Sequence, residues 1–222
     1  MMLPADSGHT GSITMIRIFE GHEPPGANPV LDAMHHARKR VFVDLLGWDV
    51  PVVAEAFEID QFDDDHAIYI VVSDDSGAHE GSIRLLPSDR PHVLGTIFPS
   101  LCDASVPVGP QIFELSRLCL SRGLRAARRL EVRNALATAV VQFALQRGIA
   151  GYSCVADSSW LSQILSLGWT VRPLGIPQMI SGLPTGALLI EIDADTPAKL
   201  RAAGTHVPMR ILPTAAIDRK AA

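Results

Sequence analysis

The run Ile112-Phe113-Glu114-Leu115-Ser116-Arg117-Leu118-Cys119-Leu120-Ser121 decides how the rest of the chain is read. Apolar residues dominate it, Gly109-Pro110 precedes it and Arg122-Gly123 follows, so it has the pattern of a buried strand between turns. Two charges interrupt that pattern. An unpaired charge in a protein interior costs several kcal/mol, on the order of a domain's whole margin of stability, so Glu114 and Arg117 must be paired or used. Side chains alternate faces along a regular strand, and positions three apart point opposite ways. A bulge near Ser116 would turn both to one face, and bulges beside active sites also leave backbone N–H groups free for a substrate carbonyl. The expectation is a bulged central strand with Glu114 and Arg117 lining one cleft. A buried ion pair, or two charges on opposite and partly wet faces, are the alternatives.

Toward the C-terminus, a strong helix runs to about Gln146, with Leu136, Val140, Phe143 and Ala144 as its apolar stripe and Gly148 as its stop. A strand over Ile149–Val155, a helix over Ser158–Leu167 capped by Asp157 or Ser158, a strand over Thr170–Pro173, another over Ala187–Ile192 and a short helix over Thr196–Ala203 follow. Toward the N-terminus, Pro87–Pro110 is long for a structureless connection, which favours a functional surface or a lid. Ala67–Val72 and Gly81–Leu86 read as hairpin-like strands, the acidic segment 47–65 as loop, Val30–Leu46 as a helix, Gly21–Pro29 as loop and Ile13–Phe19 as a first strand. The order implies an α/β fold, a mixed twisted sheet flanked by helices around a bulged central strand. Residues 1–12 read as a disordered N-terminus, 13–205 as a single domain and 206–222 as a C-terminal tail.

A net charge of −5 over 222 residues argues against general nucleic-acid binding while leaving room for a local basic patch. Cys102, Cys119 and Cys154 lie far apart with no metal spacing, which suits a reducing compartment. The first residues lack the basic and apolar regions of a signal peptide, and no apolar run reaches the roughly 18 residues of a membrane span. A cytoplasmic, soluble protein is expected. His35 and His36 have no partner at metal spacing and read as surface histidines of a helix, so no metal is expected.

The polar and aromatic residues become specific when set side by side. Arg38, Phe42 and Trp48 lie in Arg-Lys-Arg-Val-Phe-Val-Asp-Leu-Leu-Gly-Trp, Asp60 and Asp63 in Asp-Gln-Phe-Asp, Arg84 in Arg-Leu-Leu-Pro, and Glu114 and Arg117 in Phe-Glu-Leu-Ser-Arg. Over about residues 30 to 172, with all four motifs in order, the chain resembles the acyl-homoserine-lactone synthases, the autoinducer-synthase family of bacterial quorum sensing. The resemblance implies a GNAT-like fold that joins an acyl thioester to S-adenosylmethionine, releases methylthioadenosine and closes the methionine part into a lactone. It also implies that both molecules are substrates and that no separate cofactor is needed.

The residue types suit that chemistry. S-adenosylmethionine carries a carboxylate, an α-ammonium and a sulfonium: Arg38 can fork onto the first, Phe42 and Trp48 can face a cation or stack on adenine, and Asp60 or Asp63 can hold positive charge. Each has a plainer reading, as core aromatics, a solvated acidic loop or a helix charge. Glu114 is the candidate base, directly or through one water, while Arg117 and Arg84 orient carboxylates. Ser116, Leu136, Val140, Phe143, Val155 and Trp160 are the candidates for an acyl pocket, with plain core as the alternative reading. The basic run Arg122, Arg125, Arg128, Arg129 and Arg133 suits an acidic acyl-carrier protein or the phosphates of coenzyme A, or else is a solvated helix start. An N-acyltransferase acting on another amine, and a non-catalytic sensor of S-adenosylmethionine or an acyl conjugate, are the rival readings.

Overall fold

The computed structural model describes residues 14–74 and 76–212. In chain order, β1 (Thr14–Glu20) leads to α1 (Pro29–Arg38), which widens into a π-helical turn over Lys39–Val43. A small hairpin, β2 (Val52–Val53) and β3 (Phe57–Glu58), precedes the longer strands β4 (Ile68–Ser73) and β5 (His79–Pro87). A single turn of helix, α2 (Val93–Thr96), comes before β6 (Ile112–Leu120), and α3 (Ala126–Arg147), β7 (Gly151–Asp157) and α4 (Ser158–Leu165) follow it. The rest comprises β8 (Thr170–Pro173), β9 (Gln178–Ile180), β10 (Leu183–Glu191), α5 (Thr196–Ala202) and β11 (Met209–Leu212).

Among the described residues one mixed sheet runs in the order β11-β1-β4-β5-β6-β7-β10-β8, with β9 on the flank of β10. The expected α/β architecture is therefore present, with β6 in the middle of the sheet. Its alternation sorts side chains onto two faces. Ile68, Ile70, Val72, Ile83, Leu85 and Leu115 pack with the buried stripe of α3 into the main core. Tyr69, Val71 and Leu86 face the other way, against Leu31 and Met34 of α1 and Val93 of α2.

Local chemistry explains the helix ends. Asn28 accepts hydrogen bonds from the Val30 and Leu31 amides at the start of α1, and Asp157 does the same for Ser159 and Trp160 at the start of α4. Departures from the sequence reading fall where period is hard to read. The helix expected to continue to Leu46 loosens after Arg38, where Asp44 N–H bonds Lys39 O and Leu46 N–H bonds Val41 O, each five residues back. β2 and β3 lie inside the segment read as loop, because two-residue strands are too short to show alternation. The segment expected to be a tail from residue 206 supplies β11, which pairs parallel with β1. The N-terminus read as disordered, residues 1–12, lies outside the described residues, as does the end of the chain after 212.

Two irregularities in β6 shape everything that follows. Its register with β5 shifts between Ser82–Cys119 and Arg84–Ser116, so Ile83 stands opposite two residues, Arg117 and Leu118. This is the expected bulge, one position later than Ser116, and Arg117 adopts φ 52°, a left-handed conformation that costs a non-glycine residue about 1 kcal/mol or more. β6 also pairs parallel with β7 only from Ile112–Gly151 to Leu115–Cys154. Beyond Leu115 the two strands part, β6 continuing beside β5 and β7 beside β10.

Candidate active site

The bulge turns Arg117 to the face of the sheet that carries Arg84, Ser116 and Glu114. Arg84 Nε donates to Ser116 Oγ at 3.1 Å, and the Arg84 and Arg117 guanidiniums meet on Asp60, at 2.6 Å from Arg84 Nη1 and 2.5 Å from Arg117 Nη2. Arg117 Nε also donates to Glu58 at 3.0 Å. Arg38, the last residue of α1, donates through Nε to Glu58 at 2.5 Å and through both Nη atoms to Asp63 at 2.8 Å. Arg84 Nη1 closes the ring at 2.9 Å from Asp63, and the Tyr69 hydroxyl donates to Asp63 at 3.0 Å.

Three guanidiniums and three carboxylates thus form one network with no net charge. Arg38 and Arg84 are each 1 % exposed, while the Arg117 side chain is 11 % exposed and forms the network's outer end. Burial opposes ionisation of Asp63, but Arg38 and Arg84 overrule it and hold the carboxyl well below the usual range. Burial also opposes the charge on Arg38, and Asp63 and Glu58 more than restore it. Arg38 is therefore turned inward onto acidic side chains, not presented as a free fork to a ligand carboxylate.

The π-turn of α1 sets the aromatic wall. Phe42 and Trp48 stack with centroids 4.8 Å apart and 15° between planes, and the Arg117 guanidinium lies 5.6 Å and 5.8 Å from the two rings. Phe42 is buried, but Trp48 remains 40 % exposed, so the stack runs from the charge network out to solvent. His35, read as a surface histidine, is buried: its Nδ1 sits 3.0 Å from the Glu58 carbonyl and its ring packs edge-on against Tyr69. Burial, then Arg38, pushes its pKa down to about 4. His36, its neighbour, is exposed as expected.

Glu114 shares the Arg84 face but is wholly buried, so it does not line an open cleft with Arg117 as the sequence reading expected. α2 covers it: the Val93 and Leu94 amides each donate to one of its oxygens at 2.7 Å. Burial pushes its carboxyl up, and those two amides, His92 and Arg84 oppose the shift.

The remaining sequence candidates separate. Leu136, Val140 and Phe143 are in the main core on the α3 face, with Trp160 packed against them, whereas Val155 packs on the opposite face with Leu94 and Leu101. Ser116 bonds Arg84. They do not line one cavity. In the basic run, Arg128 is committed to Glu80 and Glu131, while Arg122, Arg125 and Arg129 are exposed around the start of α3. Sequence reasoning missed Glu58, Tyr69 and His35. The alternate spacing of Glu58 and Asp60 was the available signal, hidden by reading that segment as unstructured. Among the described residues no group of three or more His, Cys, Asp or Glu is arranged to hold a metal ion, and no helix is long and apolar enough to cross a membrane.

A mixed sheet that opens beside a bulged strand, with buried charges and an aromatic wall on the same side, is the framework of a GNAT-like transferase. The autoinducer synthase family profile matches residues 26–200, and the chain belongs to that family. It is 38 % identical to the acyl-homoserine-lactone synthase of Ralstonia nicotianae over 181 residues, 79 % of this chain and 88 % of the relative. It superposes with TM-score 0.78 on BjaI, a CoA-dependent acyl-homoserine lactone synthase solved with SAM and isopentyl-CoA, at 26 % identity over 90 % of this chain and 94 % of that one. TofI, solved with an inhibitor and MTA, matches with TM-score 0.71 at 31 % identity over 84 % and 96 %. The chain is an enzyme, a transferase of acyl-homoserine-lactone synthesis.

Proposed function

We propose that the enzyme uses the face described above to join the α-amine of S-adenosylmethionine to an acyl thioester and then to close the lactone. The observation that carries this reading is the bulge at Arg117, which gathers Arg84, Ser116, Arg117 and Glu114 on one face beside the Phe42–Trp48 stack. Arg117, already touching both rings and partly exposed, takes the substrate carboxylate; the stack faces the sulfonium and adenine. Arg38, Arg84, Glu58, Asp60 and Asp63 hold Arg117 and one another in place.

Glu114 accepts a proton from the α-ammonium, directly or through one water, and the amine nitrogen then attacks the thioester carbon. The tetrahedral oxyanion is met by a backbone N–H of β6 beyond Leu115, where that strand has left β7. The carbon–sulfur bond of the thioester breaks and the thiol leaves. In the second step a methionyl carboxylate oxygen attacks the carbon next to the sulfonium, and the bonding pair departs with sulfur as methylthioadenosine. Sulfonium is a good leaving group, so positioning suffices and we assign no cofactor. The donor is a coenzyme A or acyl-carrier-protein thioester, whose phosphates Arg122, Arg125 and Arg129 attract, and the reaction belongs in the cytoplasm where these donors are made.

Purified enzyme given S-adenosylmethionine and an acyl thioester should release methylthioadenosine and free thiol in equal amounts. Thiol without methylthioadenosine would indicate acylation of another amine, and release of neither would indicate a sensor. Glu114→Gln should lower turnover by about a hundredfold or more while S-adenosylmethionine affinity, measured by calorimetry, stays near wild type.

A further inference from the structure

His79 opens β5 and is 8 % exposed, with a hydroxyl on each ring nitrogen: Ser121 Oγ lies 2.9 Å from Nδ1 and Ser82 Oγ 2.9 Å from Nε2. The direction of each bond follows from the hydrogens available. The Ser121 hydroxyl donates to the His79 carbonyl oxygen at 2.6 Å, and since a carbonyl only accepts, the one hydroxyl hydrogen is used there. Nδ1 must therefore donate to Ser121 Oγ, which leaves Nε2 to accept from the Ser82 hydroxyl. Burial pushes the pKa of the ring down to about 4, so it is neutral at physiological pH and held in this one tautomer.

Ser121 is the point at which β6 gives way to the loop before α3. β6 pairs with β5 as far as Leu120–Gly81, and the polar groups of Ser121 are then all engaged. Its N–H donates to the Glu80 carbonyl at 2.9 Å, its own carbonyl accepts from Leu124 N–H at 3.4 Å, and its hydroxyl is bonded twice to His79. Arg122 and Gly123 follow and are exposed. A cleft of about 130 Å³ separates this loop from the end of α1 and its π-turn, bordered by Ser121, Arg122 and Gly123 on one side and by Arg40 and Val41 on the other. Arginines on both walls suit the phosphates common to coenzyme A and the prosthetic arm of a carrier protein. We propose that His79 is a positioning residue for donor binding: held between Ser82 and Ser121, it fixes the root of the loop and so keeps Arg122 at the cleft, ready for a donor phosphate. The proposal rests on the reading that this basic loop meets the acyl donor. A loop fixed at its root loses less conformational freedom when the donor binds, and affinity gains accordingly.

Asparagine and glutamine separate the two ring nitrogens, because the Asn amide nitrogen reaches the place of Nδ1 and that of Gln the place of Nε2. Methylthioadenosine release is followed at varied donor concentration, with the acyl group that wild type turns over fastest supplied as the coenzyme A thioester and as the carrier-protein thioester. His79→Asn keeps the bond to Ser121 and should leave donor KM within about twofold of wild type. His79→Gln and Ser121→Ala lose that bond and should each raise donor KM about fivefold, with kcat and S-adenosylmethionine KM unchanged. The two changes combined should do no more than either alone, since both remove the same bond. Ser121 is partly exposed, so its variant decides the matter even if His79→Gln does not fold. A rise with one thioester only identifies the source of the bound phosphate. Donor KM that stays put in Ser121→Ala, rises equally in the Asn and Gln variants, or rises additively in the double variant would show a structural histidine and overturn the proposal. If Arg122→Ala leaves donor KM unchanged with both thioesters, the reading of the loop as the donor's contact fails instead.

Discussion

The two faces of one sheet are built from the same strands and do opposite things. On the α3 face, alternate residues of β4, β5 and β6 are Ile68, Ile70, Ile83, Leu85 and Leu115, packed against Val132, Leu136 and Val140. On the α1 face, their neighbours include Tyr69, Arg84 and Glu114, and three arginines and three carboxylates are almost as buried as the leucines behind them. An apolar face needs only to exclude water, and hydrophobic burial is non-directional. A buried ionic face is a poor source of stability, since desolvation offsets most of the attraction, yet it fixes charged groups in one geometry. The contrast makes the α3 face the foundation and, on the function proposed above, the α1 face the working surface.

That contrast is most exposed to failure at Arg84. Arg84→Met leaves Asp60 and Asp63 short of a partner, and we expect a loss of about 3 to 5 kcal/mol in urea unfolding together with loss of turnover. A variant of normal stability and activity would show that the network neither supports the fold nor orders the site. The opposite face gives the complementary result. Leu136→Ala, from a position 1 % exposed, should cost about 2 to 5 kcal/mol of stability while KM for S-adenosylmethionine is unchanged; a large KM change would mean that the α3 face also holds the amino substrate.

Acid should act through two buried histidines, one in α1 and one at the start of β5. His35 and His79 have their folded pKa lowered to about 4, in each case mainly by burial. With the folded value below the unfolded one near 6.5, the unfolded chain binds more protons as pH falls. Stability is therefore full above that value and declines between pH 6.5 and 4, by up to about 3 kcal/mol per histidine. Denaturation at pH 7.5 and 5 should show the decline, and His79→Asn should flatten it; an unchanged midpoint across that range would contradict the burial of both rings. The smallest effect belongs to the rim: Trp48→Ala, at a half-exposed position, should weaken S-adenosylmethionine binding roughly tenfold with little change in melting temperature. Equal affinity by calorimetry would place the aromatic wall outside the substrate site.

How far the sequence alone reaches depends on the range of the interaction. Strand β6, its flanking turns, the long helix α3 and the cap Asp157 follow from local pattern, and a bulge between Glu114 and Arg117 is one of the three readings that two charges inside an apolar strand allow. The motif residues Arg38, Phe42, Trp48, Asp60, Asp63, Arg84, Glu114 and Arg117 are also legible one by one. Which of them touch is not. Arg38 lies 20 positions from Glu58, and Arg117 lies 59 from it, and no periodicity carries over such separations. Only the folded sheet decided that Arg38 would point inward, that Glu58 would complete the network, and that His35 would be buried behind it. It also decided that Leu136 and Val155 would fall on opposite faces, because a strand's alternation defines two sides but the packing of helices determines which side is which.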